Sequence, residues 1–303
     1  MRAIIAGSGD FSRYICEEFT KAGHEVVILT RKLKPQFELP GVEQFVTDYT
    51  EASLRTPIDN GDVLISTISD NTKGYIDVHR TLIEVCKQSA RCRRFIPSEF
   101  GGNIFLYPDQ PGFYYRTRQP IRKMLEEQKG LEWTLVCVGW LIDYIVPAKN
   151  RYLKDLGDSF PINMANSSMV IPGTGDEPIN ATWARDAAKG LASLIDKPSW
   201  VRFTFMSGEQ TTWNDVAKVV RKQYDQEFTT EYRSLYELFQ AYHTHKDEES
   251  KLILDHQIYS VSHASSLPPG KVQDQRELYF SGVHFRTVQE GLTELGRNAD
   301  LIL

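Results

Sequence analysis

The chain has 303 residues, of which 41% are hydrophobic and 25% charged, the proportions of a soluble globular protein. That length suffices for one large domain or two intimately packed ones. Thirty-five basic against 40 acidic side chains leave a net charge of −5, which offers nucleic acid no bulk attraction.

The first element, Arg2-Ala-Ile-Ile-Ala6, reads as a short apolar strand. It runs into Gly7-Ser-Gly9-Asp-Phe-Ser12 and an amphipathic helix with Ile15, Phe19 and Ala22 on one face. A second apolar strand, Val26–Leu29, ends in Thr30-Arg31-Lys32. Glycines let a backbone turn sharply and approach a pyrophosphate, and a helix N-terminus supplies free N–H groups and partial positive charge. An acid about twenty residues further on would hold a ribose 2′-hydroxyl; here that place carries Thr30 and Arg31. A carboxylate would repel a 2′-phosphate, whereas Arg31 pairs with one. The unit therefore reads as a cradle for NADP(H), with Ser12 in place of the third glycine of the fingerprint.

Strands and helices keep alternating to about residue 138. Residues 42–49, 62–67, 95–97 and 133–138 read as further strands, and 75–87 and 119–129 as helices. Such alternation predicts an α/β fold, a Rossmann-type doubly wound parallel sheet with ligands beyond the carboxyl ends of its strands. The pattern loosens over 139–180, with a hairpin expected around Ile171-Pro-Gly-Thr-Gly175. A helix over 181–194 capped by Asn180 or Thr182, a strand over 201–206 and a helix over 212–224 follow, then mostly charged helical sequence. The expected division is a nucleotide-binding domain over 1–150, onto which 181–206 packs back, and a smaller C-terminal α/β substrate lobe over 151–303.

Cys16, Cys86, Cys92 and Cys137 form no C-x-x-C pair, and Met1 leads directly into the first strand. The expectation is a cytoplasmic protein with free thiols. The most apolar run, 134–142, is too short to span a bilayer. The cluster Arg91, Arg93 and Arg94 reads as a solvated strand approach, and the close pair His243 and His245 as surface rather than a metal site. Expected partners are a small-molecule substrate, no nucleic acid and no membrane, in a monomer or homodimer.

Several segments together resemble the NmrA-like and isoflavone-reductase-like branch of the atypical short-chain dehydrogenases, with a fungal secondary-metabolism flavour. They are the Gly7–Gly9 turn, Leu29-Thr-Arg31, Arg94-Phe-Ile-Pro-Ser-Glu-Phe-Gly101, Ile121–Glu126, Asn180–Asp186 and Thr212–Ala217. The resemblance implies NADPH extended across the strand ends. Gly7, Ser8, Gly9, Asp10 and Phe11 would hold pyrophosphate, and Arg31 with Lys32 the 2′-phosphate. Thr67, Ile68 and Ser69 would line the ribose path, and Pro97, Ser98, Glu99 and Phe100 would approach the nicotinamide. Trp140, Asp143 and Tyr144 would form the substrate wall. Two departures stand out: the glycine loop is one residue short of the family pattern, and Arg118 occupies the place of the family's catalytic lysine.

A lysine can be tuned toward neutrality and pass a proton, whereas guanidinium stays charged. Arg118 is therefore expected to anchor a hydroxyl or stabilise an oxyanion, with Tyr114, one helical turn earlier, as the proton donor or acceptor. The plainer alternative makes Tyr114 and Tyr115 pocket wall and Arg118 a surface ion-pair partner. Three functions stay open: an NADPH-dependent reductase of a small aromatic or heterocyclic natural product, a non-redox cyclase or isomerase that retains NADP(H), and an NADP-sensing regulator.

Overall fold

Short apolar runs separated by helices account for the first half of the molecule. The computed structural model describes all 303 residues. Strands β1 (Arg2–Ala6), β2 (Glu25–Thr30), β3 (Val42–Val46), β4 (Val63–Ser66), β5 (Arg94–Ile96) and β6 (Glu132–Trp133) pair in parallel in the order β3-β2-β1-β4-β5-β6. Helices α1 (Asp10–Lys21), α2 (Glu51–Asp59), α3 (Lys73–Gln88) and α4 (Gly112–Glu127) cover the sheet. The side chains of β1 beyond Arg2 and all of β4 are buried, as central parallel strands covered on both faces require. The strand order reverses between β1 and β4, which opens a crevice at their carboxyl ends.

The expected strand over 133–138 is divided. At Thr134 pairing passes from β5 to a strand that arrives much later in the chain. The continuation, β7 (Leu135–Cys137), is followed by β8 (Trp140–Leu141), β9 (Ile162–Asn163), β10 (Ser168–Pro172), β11 (Pro178–Thr182), α5 (Ala184–Ile195) and β12 (Phe203–Phe205). β12 pairs with β7 in parallel, and α5 lies against α1 through the small residues Ala184, Ala187, Ala188 and Ala192. Residues 184–205 thus pack beside the first half of the chain, α5 on α1 and β12 on β7 in a two-stranded sheet next to the six-stranded one. The remaining elements are β13 (Glu209–Thr212), α6 (Trp213–Tyr224), β14 (Thr229–Arg233), α7 (Leu235–Thr244), α8 (Glu248–Val261), α9 (Pro269–Tyr279) and α10 (Val288–Arg297). Two small sheets, β8-β11-β13 and β9-β10-β14, enclose a core rich in aromatics, including Trp140, Phe160, Trp183 and Trp213.

Four local expectations are corrected. The turn after Ile171 joins β10 to β11, but these strands belong to different sheets, so it is no hairpin. Helix α5 begins at Ala184, because Ala181 and Thr182 are held in β11; neither Asn180 nor Thr182 caps it. Helix α4 starts seven residues before Gln119 and carries Pro120 inside it. Helix α2, with Pro57 inside, was not anticipated; the Thr50 hydroxyl accepts from Ser53 N–H at its start.

Candidate functional site

Three chambers run in series along the strand ends. The first, of 570 Å³, lies in the crevice between β1 and β4 and is lined by Gly7–Gly9, Thr30–Lys32, Lys34, Tyr49, Thr67–Asp70, Gly74 and Val78. The second, of 320 Å³, shares Gly9, Thr67 and Ser69 with the first and extends past Asp10, Phe11, Ser98–Phe100, Tyr114 and Arg118. The third, of 200 Å³, shares Ser69, Phe100, Tyr114, Leu141, Tyr144 and Leu156 with the second and ends against Trp140, His256 and Tyr259.

Sequence chemistry explains the first chamber. Gly7 adopts φ +112°, a conformation that disfavours any Cβ, and a Cβ there would lie 2.9 Å from Thr67 Oγ1. Gly9 is different: its backbone is extended, and a Cβ would meet nothing within 4 Å. Gly9 is also the N-cap of α1, with no side chain satisfying the first N–H groups, so an unblocked helix terminus faces open space. Ser12 fits where the fingerprint has glycine because its hydroxyl donates to Gly7 O (2.8 Å) and pairs with Thr67 Oγ1 (2.8 Å), tying the loop to β4. Thr30 Oγ1 pairs with Ser8 Oγ (2.9 Å) and donates to Lys32 O (2.7 Å). The exposed Arg31 and Lys32 are joined at the rim by Lys34, whose Nζ donates to Ser8 O (2.6 Å). Lys34 was missed in the sequence because it lies in a loop with no periodicity. These features fit an anionic dinucleotide with an additional phosphate on the ribose beside Arg31.

The second chamber is built around a pinned turn. Tyr75 Oη donates to Ser98 O (2.9 Å), and Glu99 forms a bidentate ion pair with Arg122 (2.7 and 2.8 Å), both side chains buried. Phe100 takes φ +41° and packs edge-on against Phe11 at 5.1 Å, and Gly101 O accepts from the N–H groups of Val138 and Gly139. A non-glycine residue in the left-handed region is strained, and here the neighbours over-determine it. Pro97 is buried at the end of β5 and lines none of the three chambers, unlike Ser98, Glu99 and Phe100.

Arg118 is not a surface ion-pair partner. It is 2% exposed, and its guanidinium lies between the rings of Tyr75 and Tyr114, 4.0 Å from each centroid. Nη1 has Asp70 O (2.8 Å), Asn71 Oδ1 (3.0 Å) and Thr117 Oγ1 (2.6 Å) as acceptors, none a carboxylate. Nε is sealed without a partner. The expected one-turn spacing holds on α4, but the cation sits on the face of the Tyr114 ring. It fastens the 69–71 loop to α4.

Of the expected substrate wall, Trp140 and Tyr144 line the third chamber, and Tyr144 lines the second as well. Asp143 does not. It is fully buried, and its Oδ2 accepts from Ala184 N–H (2.9 Å), so it caps α5 from a distant segment. Burial pushes its carboxyl up to about 6. Oδ1 has no partner. Residues 143–145 form a turn of 3₁₀ helix, whose successive side chains lie about 120° apart, so Asp143 and Tyr144 face different surroundings. His256, Tyr259 and Leu156 were missed, since they come from segments remote in sequence. His243 and His245 are exposed. Arg94, expected to be solvated, instead pairs with Glu132 (2.7 Å) and stacks on Trp200 (3.8 Å). No helix is long and apolar enough to cross a membrane.

Comparison with known proteins agrees with this architecture. The NmrA-like family model matches residues 3–291. The oxidoreductase swnR of Metarhizium robertsii is 52% identical over 305 aligned positions that cover the whole of both chains. The oxidoreductase swnR of Arthroderma benhamiae is 50% identical, again over the whole of both. Among solved structures, the binary complex of leucoanthocyanidin reductase with NADPH from Vitis vinifera gives a TM-score of 0.73 at 17% identity, covering 97% of this chain and 99% of that one; the likeness is one of fold. Identity of one half over the full length of two oxidoreductases makes this chain an oxidoreductase too. With the family model extending over nearly all of its residues, the chain belongs to the NmrA-like family.

Proposed function

We propose that this oxidoreductase is an NADPH-dependent reductase of a small aromatic or heterocyclic natural product. The observation that carries the reading is the first chamber: an uncapped helix N-terminus, a Gly9 with open space above it, and Arg31, Lys32 and Lys34 at one rim. Gly7 to Phe11 would hold the pyrophosphate on backbone N–H groups, Arg31 and Lys34 the 2′-phosphate, and Thr67 to Ser69 the ribose path. When bound, NADPH supplies hydride to a carbonyl, imine or activated double bond. The chain's residues do the rest. Phe11, Phe100 and Tyr144 exclude water from the second chamber, and the Tyr114 hydroxyl gives a proton to the reduced product. Arg118 keeps Tyr114 and the 69–71 loop in place, and its Nη2, which has no protein partner and is not sealed as Nε is, would hold a hydroxyl or a developing oxyanion.

Calorimetry with NADPH and NADH on the wild type and Arg31→Asp, followed by NADPH-oxidation assays over a panel of small carbonyl and imine compounds, tests the reading. A preference for NADPH of tenfold or more is expected on the order of one charge-assisted phosphate contact, and it should vanish in Arg31→Asp. Equal affinity for the two coenzymes, or uptake of neither, overturns it. The permanently charged Arg118 favours one second reading, a cyclase or isomerase using the same cofactor as a fixed element. Product mass separates the two, because a reduced product gains two hydrogens and a rearranged one none.

A further inference from the structure

We infer that His256 is the specificity-determining contact of the third chamber and selects a substrate that carries an O–H or N–H donor. The inference rests on the reductase reading above and adds to it the substrate class: a small, uncharged ring system with one such hydrogen to give.

The tautomer follows from one distance. His256 Nδ1 lies 2.9 Å from Leu252 O, one turn back on α8. A carbonyl oxygen only accepts, so Nδ1 carries the ring proton and Nε2 is left as a bare lone pair. Nε2 has no protein partner, and unlike the corresponding atoms of His24 and His79 it is not sealed from solvent. The ring is held in orientation by Phe113, 4.7 Å away, and Trp140, 5.8 Å away. Burial pushes the imidazole down to about 4, so it stays neutral at any ordinary working pH.

The rest of the lining completes the argument. No charged side chain borders this chamber; its walls include Phe100, Pro111, Trp140, Leu141, Tyr144 and Leu156. An ion entering it would lose its hydration without a counter-charge. The hydroxyls of Ser69 and Tyr114 can give or accept, and Tyr259 Oη is directed at Gly139 O (3.4 Å). His256 is therefore the one lining side chain that can only accept. A substrate without a donor leaves Nε2 desolvated and unpaired, the arrangement by which a polar site rejects an isostere. At 200 Å³ the chamber lies below the range of about 300–1,000 Å³ that holds drug-sized ligands, so the group it admits is small.

Indole and benzofuran, alike in shape and differing by an N–H against an oxygen, are suitable probes. Titrated into the NADP⁺-loaded protein, indole is expected to bind at least about fivefold tighter. His256→Phe should abolish that preference with NADP⁺ affinity unchanged, and His256→Gln, whose amide oxygen can accept, should restore part of it. In ¹⁵N-histidine-labelled protein His256 should appear as the neutral Nδ1–H tautomer. Equal binding of the two probes, a preference that survives in His256→Phe, or an Nε2–H or cationic ring would overturn the inference. A chain that takes up no NADP⁺ sinks the reductase reading alone, because the indole–benzofuran comparison on the coenzyme-free protein still decides the His256 contact.

Discussion

Gly7 and Gly9 stand two positions apart in one loop and are glycine for opposite reasons. At Gly7 the backbone itself demands it, with φ +112° and Thr67 Oγ1 2.9 Å from any added Cβ. Gly7→Ala should lower unfolding stability by about 1–3 kcal/mol in urea titrations. At Gly9 the backbone is extended and the space above is empty. Gly9→Val should leave the melting temperature nearly unchanged and weaken NADPH binding by tenfold or more in calorimetry, because the side chain fills the phosphate cradle. Arg118 gives a second contrast. An exposed ion pair would contribute about 0–1 kcal/mol. A guanidinium stacked between two tyrosines and bonded to Asp70 O and Asn71 Oδ1 is worth more, and Arg118→Met should cost about 2–4 kcal/mol. Arg118→Lys keeps the charge but not the flat stack, so it should recover only part of that loss. The sequence put Tyr114 and Arg118 on one face correctly, since 3.6 residues per turn is a local property. It could not show that Tyr75, on another helix, closes the sandwich.

Helix α5 illustrates how an element can be misjudged at its boundary. Its first N–H is capped by Asp143, forty-one positions earlier, so no local cap marks the start. Asp143 is wholly buried, and its carboxyl is raised to about 6 from an ordinary value near 4. The folded state thus prefers the protonated form, and the penalty for holding the anion is present above pH 6 and lifted as pH falls from 6 toward 4. Asp143→Asn retains an acceptor for Ala184 N–H and removes the charge. It should exceed the wild type in stability by on the order of 2–3 kcal/mol at pH 7.5, with the gap closing near pH 4. Chemical denaturation of both proteins at the two pH values checks this. Helices α2 and α4 were hidden or shortened in the sequence by Pro57 and Pro120, which signal a break. Tertiary packing overrides that signal where the missing N–H and the ring are accommodated.

Across the whole molecule, His79, His256 and Asp143 each add to the pH dependence of stability in acid. Burial holds His79 down to about 3 and His256 to about 4, so each stays neutral while its unfolded counterpart gains a proton below about 6.5. Both depress stability as pH falls, whereas Asp143 acts in the opposite direction below pH 6. Together these three leave a net difference of one proton, which contributes a fall in stability of about 1.4 kcal/mol per pH unit between roughly pH 5.5 and 4. His79→Phe, which replaces a ring stacked 3.8 Å from Tyr75, should flatten that slope in urea titrations across the same range.

The amino-acid sequence by itself determined the parallel sheet, the glycine turn and the cationic tip of β2. Each depends on residues close together in the chain, where dihedral preference, burial periodicity and charge act directly. Only the tertiary structure decided that β12 pairs with β7 in a two-stranded sheet of their own, that Asp143 is a cap and Pro97 buried away from the chambers, and that Lys34 and His256 border them. Those contacts join segments tens to more than a hundred residues apart. Their formation depends on how layers pack and which buried polar atoms find partners, and no short-range pattern encodes that.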